Sequence, residues 1–590
     1  MKPSDHNSPK PPTRPWKVRS QAAPPNELVN ELGLSLRLVE LLFNRGLADI
    51  SAITRFLSPS LHELPDPFQL SGMTAAVERL LSAFQREEKI FVFGDYDMDG
   101  ISATAILVDY LRRAGFAVDY SIPIRLVEGY GLNAQAIDNA VESGAKLAIT
   151  VDCGIANASE IEYGANQGLD FIVTDHHQIP AEVPLRAVAV INPHLPESTY
   201  PDRDLAGVGV AFNLLMALRR RLREAGLARE INLLRYLDLV AMGTVADVVS
   251  LSGVNRILTR FGLNEINQSR RLGIRALLQV CQIPRDQPLT SRDLAFRITP
   301  KVNAVGRVAN AASAVELFLT DDRARAWQLA KYLSDCNQQR LEIEQRIRKE
   351  AEELLAAQPE LARGRVILLA AEDWHPGVVG IVATRIMEIH DKPVLLLARE
   401  NGVARGSGRS RPGLNLVQAL EHCQEWLLRF GGHTQAVGLT VAEENLDRLR
   451  DCLNRYFTGI EPESRQPPEL LLDGFLEAAE ISPELWQELE RLQPFGQGNP
   501  EPVFALAGME LKSIAPLGRS GAGSTPRHFR FTLFCPQHKR RLSGVAFNLE
   551  GPPPKAGSLL DLAFTLEENH WQGQRELRLK LVAFRPAETG

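Results

Sequence analysis

The sequence predicts an α/β protein with a doubly wound parallel-sheet domain, a long connecting helix, a second α/β domain and a small C-terminal β barrel. Three observations predict this class. Short apolar runs alternate with helical stretches from about residue 80 to residue 190, residues 321–358 contain neither Gly nor Pro, and short strands dominate after about residue 467.

The N-terminal end is predicted to be a polar tail followed by a small helical cap. Residues 1–25 are rich in Pro and polar residues and are expected to be disordered. Residues 26–80 are the predicted cap, in which apolar residues recur at helical spacing. The chain has no apolar run of about 18 residues and no signal-like apolar segment near its start, so a soluble, cytoplasmic protein is expected.

Composition limits the partners and the redox state. A chain of 590 residues is too long for one hydrophobic core, so three or four domains are expected. The net charge of −6 argues against a protein that coats DNA, but not against one that grips nucleic acid in a local channel. The six cysteines include no C-x-x-C pair, which indicates reduced, mostly buried thiols rather than a zinc ribbon or a disulfide framework.

The first α/β domain is predicted at residues 81–320 from five apolar strands. A doubly wound parallel sheet gathers its ligands beyond the carboxyl ends of its strands, so residues that follow each strand are the candidates for a site. Helical residues 209–318 complete the domain. The predicted strands are residues 90–93, 117–122, 147–151, 171–174 and 187–191.

Three further regions follow this domain. Residues 321–358 predict a long helix, which is either a rigid connector between two lobes or one strand of a coiled coil. The second α/β domain, residues 359–465, has predicted strands at 366–369 and 394–397 around a helix at 378–389. The barrel, residues 466–590, has predicted strands at 529–534, 542–547, 559–565 and 576–584.

A loop with three alternating carboxylates is the strongest chemical signal. Residues 94–100 read GDYDMDG, directly after a predicted strand and before a predicted helix. A calcium loop of the EF-hand type also reads D-x-D-x-D-G, but it requires a helix on each side and a Glu at its twelfth position, where this chain has Ile106. A divalent-metal site is therefore predicted, and a solvated acidic turn that caps the helix is the structural alternative.

Further acids and histidines follow later strands of the same predicted sheet. Asp152 follows one strand, Asp175, His176 and His177 follow the next, and Asp247 ends a helical segment. Carboxylates and imidazoles at one sheet edge suit two Mn²⁺ or Mg²⁺ ions and do not suit a zinc thiolate site. Paired metals of this kind catalyse displacement at phosphorus, so phosphoryl hydrolysis is the predicted chemistry.

The motifs in this order resemble the DHH phosphoesterase superfamily. They are D-Y-D-x-D-G, V-D-x-G, D-H-H and G-T-V-A-D, which end at residues 100, 154, 177 and 247. Further matches extend the resemblance, from about residue 16 to the C-terminus, to the bacterial single-stranded-DNA-specific exonucleases of that superfamily. These matches lie at residues 58–68, 128–133, 374–380, 406–410, 431–433 and 494–502.

The resemblance implies a fold and a set of metal ligands. The catalytic domain would be a DHH domain, the second lobe a DHHA1-like substrate domain, and the barrel an OB fold that binds single strands. Asp152 is the natural bridging ligand of two Mn²⁺ or Mg²⁺ ions, and Asp175 and His177 would lie in or beside the coordination sphere. The implied ligands are Asp97, Asp99, Asp152, His176 and Asp247, with Asp95 beside them.

The resemblance also implies residues that bind the substrate. A pocket for a 5′-terminal phosphate would use Arg125, Arg307, Ser407 and Arg409, and Arg suits this task because its planar fork pairs with phosphate oxygens. His433, in a Gly-Gly-His turn, would contact a phosphate or would pack under the turn.

The barrel carries its own predicted DNA-binding face. Residues 505–547 are strongly basic, and Phe529 and Phe531 are either stacking residues or core residues. The basic residues are Lys512, Arg519, Arg527, Arg530, Lys539, Arg540 and Arg541.

Three positions depart from the family pattern. Ser250 stands where Pro is usual, Val437 where a small residue is usual, and Val305 lies in a segment whose usual form is R-I-N-A-A-G-R. None of them is an implied metal ligand, so they affect the expected packing near the phosphate track rather than metal binding.

The function implied is hydrolysis of single-stranded DNA from its 5′ end to 5′ mononucleotides, in repair and recombination. Candidate protein partners are a single-strand-binding protein and a RecQ-type helicase. Two alternatives are a DHH enzyme for smaller substrates, which would lack the barrel, and a non-catalytic scaffold, which would lack ligands that are present here.

Overall fold

The computed structural model describes residues 15–19, 23–125, 131–284, 287–460, 469–517, 527–549, 551–571 and 574–587. Contacts divide the chain into two compact units. One unit comprises Met1–Glu63 and Arg465–Gly590, and the other is Leu64–Ser464. The predicted cap at residues 26–80 is therefore split, because its first three helices belong with the barrel.

Part of the N-terminal segment forms a strand. Strand β1 (Trp16–Val18) pairs in parallel with residues 470–472, so the prediction of a disordered tail is wrong for these residues. Trp16 and Val18 pack against a small cluster that contains Leu472, which offsets the cost of ordering them. Three helices follow: α1 (Asn26–Leu32), α2 (Leu36–Asn44) and α3 (Ile50–Leu57).

The first α/β domain is built on a five-stranded parallel sheet, as predicted. The strand order is β3-β2-β4-β5-β6, so the second and third strands in sequence flank the first, β2, and the chain winds outward on both sides. Buried Val, Ile, Leu and Phe side chains fill both faces, which is why these strands read as apolar runs. The strands are β2 (Lys89–Phe93), β3 (Val118–Ser121), β4 (Ala145–Val151), β5 (Asp170–Thr174) and β6 (Ala189–Ile191).

Helices surround this sheet and extend the domain to residue 319. A short π-helical segment, Leu294–Ile298, precedes the helix that reaches the site. The helices are α4 (Met73–Gln85), α5 (Met98–Ala114), α6 (Ala134–Glu142), α7 (Ala158–Asn166), α8 (Gly207–Glu224), α9 (Leu237–Ala246), α10 (Gly253–Asn267), α11 (Leu272–Val280), α12 (Ser291–Asp293), α13 (Thr299–Val308) and α14 (Ala312–Leu319).

The long helix α15 (Arg323–Ala357) connects the two lobes of the larger unit. Its 35 residues span about 52 Å at 1.5 Å per residue. Asp322 caps its first turn by accepting hydrogen bonds from Ala324 and Arg325. The first half packs on α11, α13 and α14, and Ile347, Ala351 and Leu355 enter the core of the second lobe, so the connector interpretation is confirmed.

The second lobe is a mixed sheet of order β10-β11-β9-β8-β7, in which only β7 and β8 are parallel. Cys423 and Cys452 form a disulfide, so the prediction that all six cysteines are reduced is wrong. The elements are α16 (Pro359–Arg363), β7 (Ile367–Ala371), α17 (Val379–His390), β8 (Val394–Glu400), β9 (Val403–Arg409), α18 (Leu416–His422), β10 (Leu427–His433), β11 (Ala436–Ala442) and α19 (Leu446–Thr458).

The C-terminal strands form the predicted closed barrel. The pairings run β14-β15-β16-β18-β17 and return to β14, so no edge of the ring stays open. Its apolar interior is continuous with the buried leucines of α2. The elements are β12 (Leu470–Leu472), β13 (Gly474–Phe475), α20 (Pro483–Glu490), β14 (Phe504–Pro516), β15 (Phe529–Cys535), β16 (Arg540–Ala546), β17 (Leu559–Trp571) and β18 (Gln574–Pro586).

Candidate metal centre and phosphate pocket

The acidic loop lies at the carboxyl end of β2, where the sheet topology directs ligands. Asp97 is the N-cap of α5, and its Oδ1 accepts hydrogen bonds from the backbone N–H of Asp99 and Gly100 at 2.9 and 3.1 Å. The capping interpretation is therefore correct for Asp97. It does not exclude metal binding, because oxygens of Asp95, Asp97 and Asp152 also lie within 4.8 Å of one another.

Later strand ends bring their acids and histidines to the same place. Among the described residues, three groups have ligand atoms within 4.8 Å of one another. Asp152 and His176 each belong to two groups, so the three groups form one cluster. The groups are Asp95, Asp97 and Asp152; Asp152, His176 and His177; and Asp99, His176 and Asp247.

The backbone of α8 and α9 approaches this cluster closely. The first two N–H groups of α8, from Gly207 and Val208, donate to Asp99 at 2.6 and 3.0 Å, where the positive end of the helix dipole favours a carboxylate. A Cβ on Gly207 would lie 2.6 Å from Asp152 Oδ1, and a Cβ on Gly243 would lie 2.7 Å from Asp99 Oδ1. Glycine is required at both positions because no side chain fits beside these oxygens.

Burial and mutual repulsion disfavour the ionised form of the acids in the cluster. Burial, together with the neighbouring carboxylates, raises the pKa of Asp95, Asp99 and Asp152 well above its ordinary value. Burial and then the charge of Asp97 raise the pKa of Asp247 to about 7. A bound cation would remove this repulsion, so the cluster is suited to binding a cation.

His176 is positioned as a neutral ligand. Its Nε2 lies 3.1 Å from Asp152 Oδ1 and 3.6 Å from Asp247 Oδ2. Burial, and then the charge of His177, lower the pKa of His176 to about 4, so the imidazole is neutral near pH 7. The contact with Asp152 is therefore not a salt bridge, and the Nε2 lone pair is available for a metal.

His177, a member of this cluster, forms an ion pair with Asp175. His177 Nδ1 lies 2.7 Å from Asp175 Oδ1, and burial alone would lower the pKa of His177, but this hydrogen bond and charge raise it to about 9. Asp175 also accepts hydrogen bonds from the backbone of Ile155, His176 and His177, and it belongs to none of the three groups found among the described residues. Its position is that of a residue that orients the histidines.

The donor set fits a hard divalent cation. It consists of carboxylate oxygens and imidazole nitrogens, and Oδ1 of Asp95 is buried and has no hydrogen-bond partner among the described residues. The neighbouring thiol of Cys153 is committed to the carbonyl of Phe93, at 3.9 Å, and burial raises its pKa. Mn²⁺ or Mg²⁺ suits this chemistry better than zinc.

Helix α13 connects the metal loop to a cluster of arginines. Asn303 Oδ1 accepts a hydrogen bond from the backbone N–H of Met98 at 2.7 Å. One turn later, Arg307 donates from Nη1 to the carbonyl of Gly377 at 3.3 Å, beside the start of α17. Burial, and then repulsion by Arg125, lower the pKa of Arg307 to about 10, which indicates that cations are gathered here.

Ser407 and Arg409 complete this arginine cluster from β9. The two residues alternate along the strand and so share one face. The Cβ position of Gly380, near the start of α17, is 3.2 Å from Ser407 Oγ and 3.0 Å from Arg409 Nη2. Burial, and then the charge of Arg125, lower the pKa of Arg409. All four residues predicted for the phosphate pocket therefore face one region.

Arg125 reaches this region from the loop that follows β3, and its Cζ lies 4.9 Å from the ring centre of Tyr96. The segment that follows Arg125, residues 126–130, lies outside the described residues, so most of the motif at 128–133 cannot be placed.

His433 is exposed and is not packed under a glycine turn. It is exposed at the end of β10, where it pairs with Ala436 of β11. The Gly-Gly-His segment therefore belongs to a strand, and the turn follows it at residues 434–435. The interpretation of His433 as a histidine packed under a turn is wrong.

The barrel face differs in part from its prediction. Phe529 and Phe531 are only 6% and 3% exposed, so they are core residues. On the outward side of β15 the partly exposed aromatic residue is Phe534, and Lys512 Nζ lies 5.2 Å from its ring centre. Arg540 instead donates to backbone carbonyls of residues 478–481. The outward basic residues that the structure describes are Lys512, Arg527, Arg530, Lys539 and Arg541, and Arg519 lies outside the described residues.

The inward orientation of Phe529 and Phe531 could be predicted from the alternation of side chains along β15. Phe529, Phe531 and Leu533 share one parity, and Arg530, Thr532 and Phe534 share the other, so one of the two sets must face the core. The greater apolarity of the first set identifies it as the inward set.

The three positions that depart from the family pattern lie away from the metal cluster's hydrogen bonds and ion pairs. Val305 and Val437 are 0% and 3% exposed and lie in the domain cores, whereas the Ser250 hydroxyl bonds to Ser252. None of them contacts a residue of the metal cluster through a hydrogen bond or ion pair among the described residues.

Comparisons with known proteins match the order of these domains. A model of the DHH family N-terminal domain matches residues 89–244, one of the DHHA1 domain matches residues 363–459, and one of the RecJ OB domain matches residues 472–583. Among the described residues no helix is long and apolar enough to cross a membrane.

Relatives match over nearly the whole chain. The single-stranded-DNA-specific exonuclease RecJ of Haemophilus influenzae is 37% identical over 551 residues, which cover 91% of this chain and 94% of that protein. The RecJ protein of Escherichia coli is 38% identical over 530 residues, which cover 87% of this chain and 90% of that protein.

A solved structure confirms the fold. The crystal structure of RecJ from Thermus thermophilus in complex with Mn²⁺ superimposes with a TM-score of 0.79 at 32% identity, and the match covers 98% of this chain and 80% of that one. The same protein in complex with Mg²⁺ gives a TM-score of 0.73 at 30% identity, over 98% of this chain and 79% of that one. The chain therefore belongs to the RecJ family of single-stranded-DNA-specific exonucleases.

Proposed function

We propose that this chain hydrolyses single-stranded DNA from its 5′ end and releases 5′ mononucleotides with the help of two Mn²⁺ or Mg²⁺ ions. The observation that carries the proposal is that a carboxylate and imidazole cluster and a cluster of three arginines are joined by one helix, α13. The first cluster suits divalent cations, and the second suits a phosphate dianion.

Six residues would hold the metal ions: Asp95, Asp97, Asp99, Asp152, His176 and Asp247. Bound ions of this type activate a water and neutralise the oxygen that leaves phosphorus. Asp152 is suited to bridging because it belongs to two of the three groups. His177, held protonated by Asp175, would stabilise negative charge on the substrate or donate a proton during the reaction.

The pocket of Arg125, Arg307, Ser407 and Arg409 would bind the 5′-terminal phosphate. A strand anchored there would present its first phosphodiester bond to the metals, which explains release of single nucleotides. Exposed His433 would contact the backbone of the strand from the second lobe.

Each domain would have a separate task. Residues 81–320 would carry the chemistry, helix 321–358 would fix the spacing of the lobes, and residues 359–465 would bind the end of the strand. Residues 466–590 would bind single-stranded DNA. The lobes would leave a channel that admits a single strand and excludes a duplex. The outward basic side chains of β14, β15 and β16 support the role of the barrel.

The cellular setting that we propose is cytoplasmic DNA repair and recombination. A single strand with a free 5′ end is produced by a helicase and covered by single-strand-binding protein, so a RecQ-type helicase and a single-strand-binding protein are the proposed partners.

Digestion of end-labelled strands tests the proposal. We expect a 5′ label to appear at once in mononucleotides and a 3′ label to stay on long fragments, with duplex DNA uncut and RNA as a second control. Asp152→Ala should abolish hydrolysis but not strand binding, whereas Asp119→Ala, which removes an exposed acid of β3, should change neither. Hydrolysis that persists in Asp152→Ala would contradict the metal assignment.

A further inference from the structure

Tyr96 stands between the two clusters. It separates Asp95 from Asp97 in the metal loop, and α13 packs on its backbone: the Cβ position of Gly306 is 2.5 Å from the Tyr96 carbonyl oxygen. The backbone of Tyr96 therefore cannot move without moving the metal ligands on either side. Its half-buried ring projects toward the arginines and meets Arg125.

The side chain of Arg125 lies against this ring. Its guanidinium forms no hydrogen bond or ion pair with another described residue, and its Cζ lies 4.9 Å from the ring centre of Tyr96 in a cation–π contact. Arg125 also repels Arg307 and Arg409, because its charge is among the causes that lower the pKa of both. The charge of Asp95 attracts Arg125, but among the described residues it is the ring of Tyr96 that contacts the guanidinium and can hold this long and flexible side chain in the pocket.

We propose that Tyr96 is a positioning residue that sets the preference of the enzyme for 5′-phosphorylated ends by holding Arg125 in the phosphate pocket. The proposal rests on the proposed function, since it needs the arginine cluster to bind a terminal phosphate. It goes further by giving a residue of the metal loop a second task. The ring acts through Arg125 and not through the metal.

The physical reason is preorganisation. Three like charges repel one another before substrate binds, and the dianion removes that repulsion when it arrives. The face of an aromatic ring attracts a guanidinium without neutralising it, so Arg125 is kept in place with its donors available for phosphate. A carboxylate at position 96 would hold Arg125 as well but would compete with the substrate.

The loop also links the two ends of the first nucleotide. The terminal phosphate and the first phosphodiester are one nucleotide apart, and Tyr96 is covalently joined to Asp95 and Asp97. An arginine fixed on this loop therefore keeps the terminal phosphate at a constant distance from the metal ligands.

The test compares Tyr96→Leu, which removes the aromatic face, with Tyr96→Phe, which keeps it. The measured quantity is the ratio of kcat/KM on a 5′-phosphorylated strand to kcat/KM on the same strand with a 5′ hydroxyl. We expect Tyr96→Leu to lower this ratio about three- to thirtyfold, mainly through KM for the phosphorylated strand, and Tyr96→Phe to retain it. Mn²⁺ affinity and Tm are measured for each variant, because a loop that is merely disordered would lose both.

Two further variants make the result decisive. Tyr120→Leu removes a similar cation–π contact, with Arg112 at 5.9 Å, from β3, and should leave the ratio at its original value. Arg125→Met should lower the ratio at least as much as Tyr96→Leu, and the double variant Tyr96→Leu with Arg125→Met should be no worse than Arg125→Met alone.

The outcomes separate the two proposals. If Arg125→Met leaves the ratio unchanged, the phosphate pocket itself is wrong. If Arg125→Met lowers the ratio but Tyr96→Leu does not, the pocket stands and the role of Tyr96 is overturned. A loss of Mn²⁺ affinity in Tyr96→Leu equal to the loss of activity, or additive effects in the double variant, would also overturn it.

Discussion

Asp247 and its acidic neighbours show how one residue's environment determines its chemistry. Each is an ordinary aspartate in the sequence, but burial beside other carboxylates raises the pKa of Asp247 to about 7 and raises that of Asp95, Asp99 and Asp152 well above its ordinary value. Protonation relieves this repulsion in the absence of metal. A divalent cation does so without protons, so metal and protons compete for the same oxygens.

The first prediction concerns pH and metal removal. The buried acids of the cluster have a higher pKa in the folded than in the unfolded protein, where it is about 4. They therefore hold protons more tightly when folded, and the stability that this contributes is lost as the pH rises through the folded pKa, which is about 7 for Asp247. His177, raised to about 9, acts in the same direction, and His176, lowered to about 4, contributes no slope above about pH 7. We therefore expect Tm of the chelator-treated protein to fall between about pH 7 and 8.5.

Manganese should reverse this effect. The rise in Tm caused by Mn²⁺ should grow with pH, and calorimetry in buffers of different ionisation enthalpy should detect protons released on binding. Asp247→Asn should reduce the slope near and below pH 7, where Asp247 loses its proton, and should leave the fall above about pH 8 unchanged. A metal-free Tm that rises across this window would contradict the assignment.

Arg409 carries the second prediction at this scale. Arg409→Ala should reduce activity on 5′-phosphorylated strands about ten- to a hundredfold more than on 5′-hydroxyl strands, because a charge-assisted hydrogen bond to a dianion contributes about 1.5 to 3 kcal/mol. Arg385→Ala removes an exposed arginine of α17 that pairs with Glu388 and serves as the control. Equal losses on both substrates would show that Arg409 contacts an internal phosphate.

At the scale of elements, the segment at residues 494–502 is explained as a structural lock. Asn499 is buried and donates to the carbonyls of Leu492 and Pro494, and its Oδ1 accepts from Arg45 at 3.2 Å. Arg45, just after α2, also pairs with buried Asp473 at 2.9 Å. These bonds hold α2 against the barrel within the smaller unit. They give residues 494–502 a structural role.

Arg45→Met should therefore weaken the smaller unit. The loss leaves Asp473 with the more distant Arg19, at 3.4 Å, and breaking a buried pair of this kind costs about 3 kcal/mol. Faster hydrogen exchange of barrel amides is the expected observation. Arg37→Met, which removes a more exposed arginine of α2, is the control and should have a smaller effect. Equal exchange in both variants would exclude the lock.

At the scale of the whole molecule, the division into two units changes how the barrel should be removed. A cut at residue 464 would expose the apolar faces of α1–α3, because these helices share the core of the barrel. Residues 64–464 are therefore the appropriate shortened protein. It should keep the metal centre and bind Mn²⁺ as the full chain does.

Its grip on DNA should be weaker and less dependent on salt. Each lost phosphate contact should reduce the salt slope of single-strand binding by about 0.7, and binding should fall more than the turnover of bound strands. Fluorescence anisotropy over a series of salt concentrations measures both quantities. If residues 64–464 bind as tightly as the full chain with the same slope, the barrel does not bind DNA.

Much of the fold and of the metal site could be predicted because the signals are local. Buried parallel strands are apolar runs, and the residues after them meet at one sheet edge whatever the details of packing. Asp97, Asp152, His176 and Asp247 were therefore found from sequence, although their role came from a resemblance. The long helix was predicted from the absence of Gly and Pro over a single stretch.

Tertiary structure decided what depends on distant partners. The sequence does not show that residues 16–18 pair with a strand more than 450 positions away, or that Cys423 and Cys452 form a disulfide. It also does not show that the carboxylate of Asp175 accepts hydrogen bonds from His177 and from backbone N–H groups. Local patterns determine which elements form, whereas burial, pairing and pKa arise only when residues far apart in sequence are brought into contact.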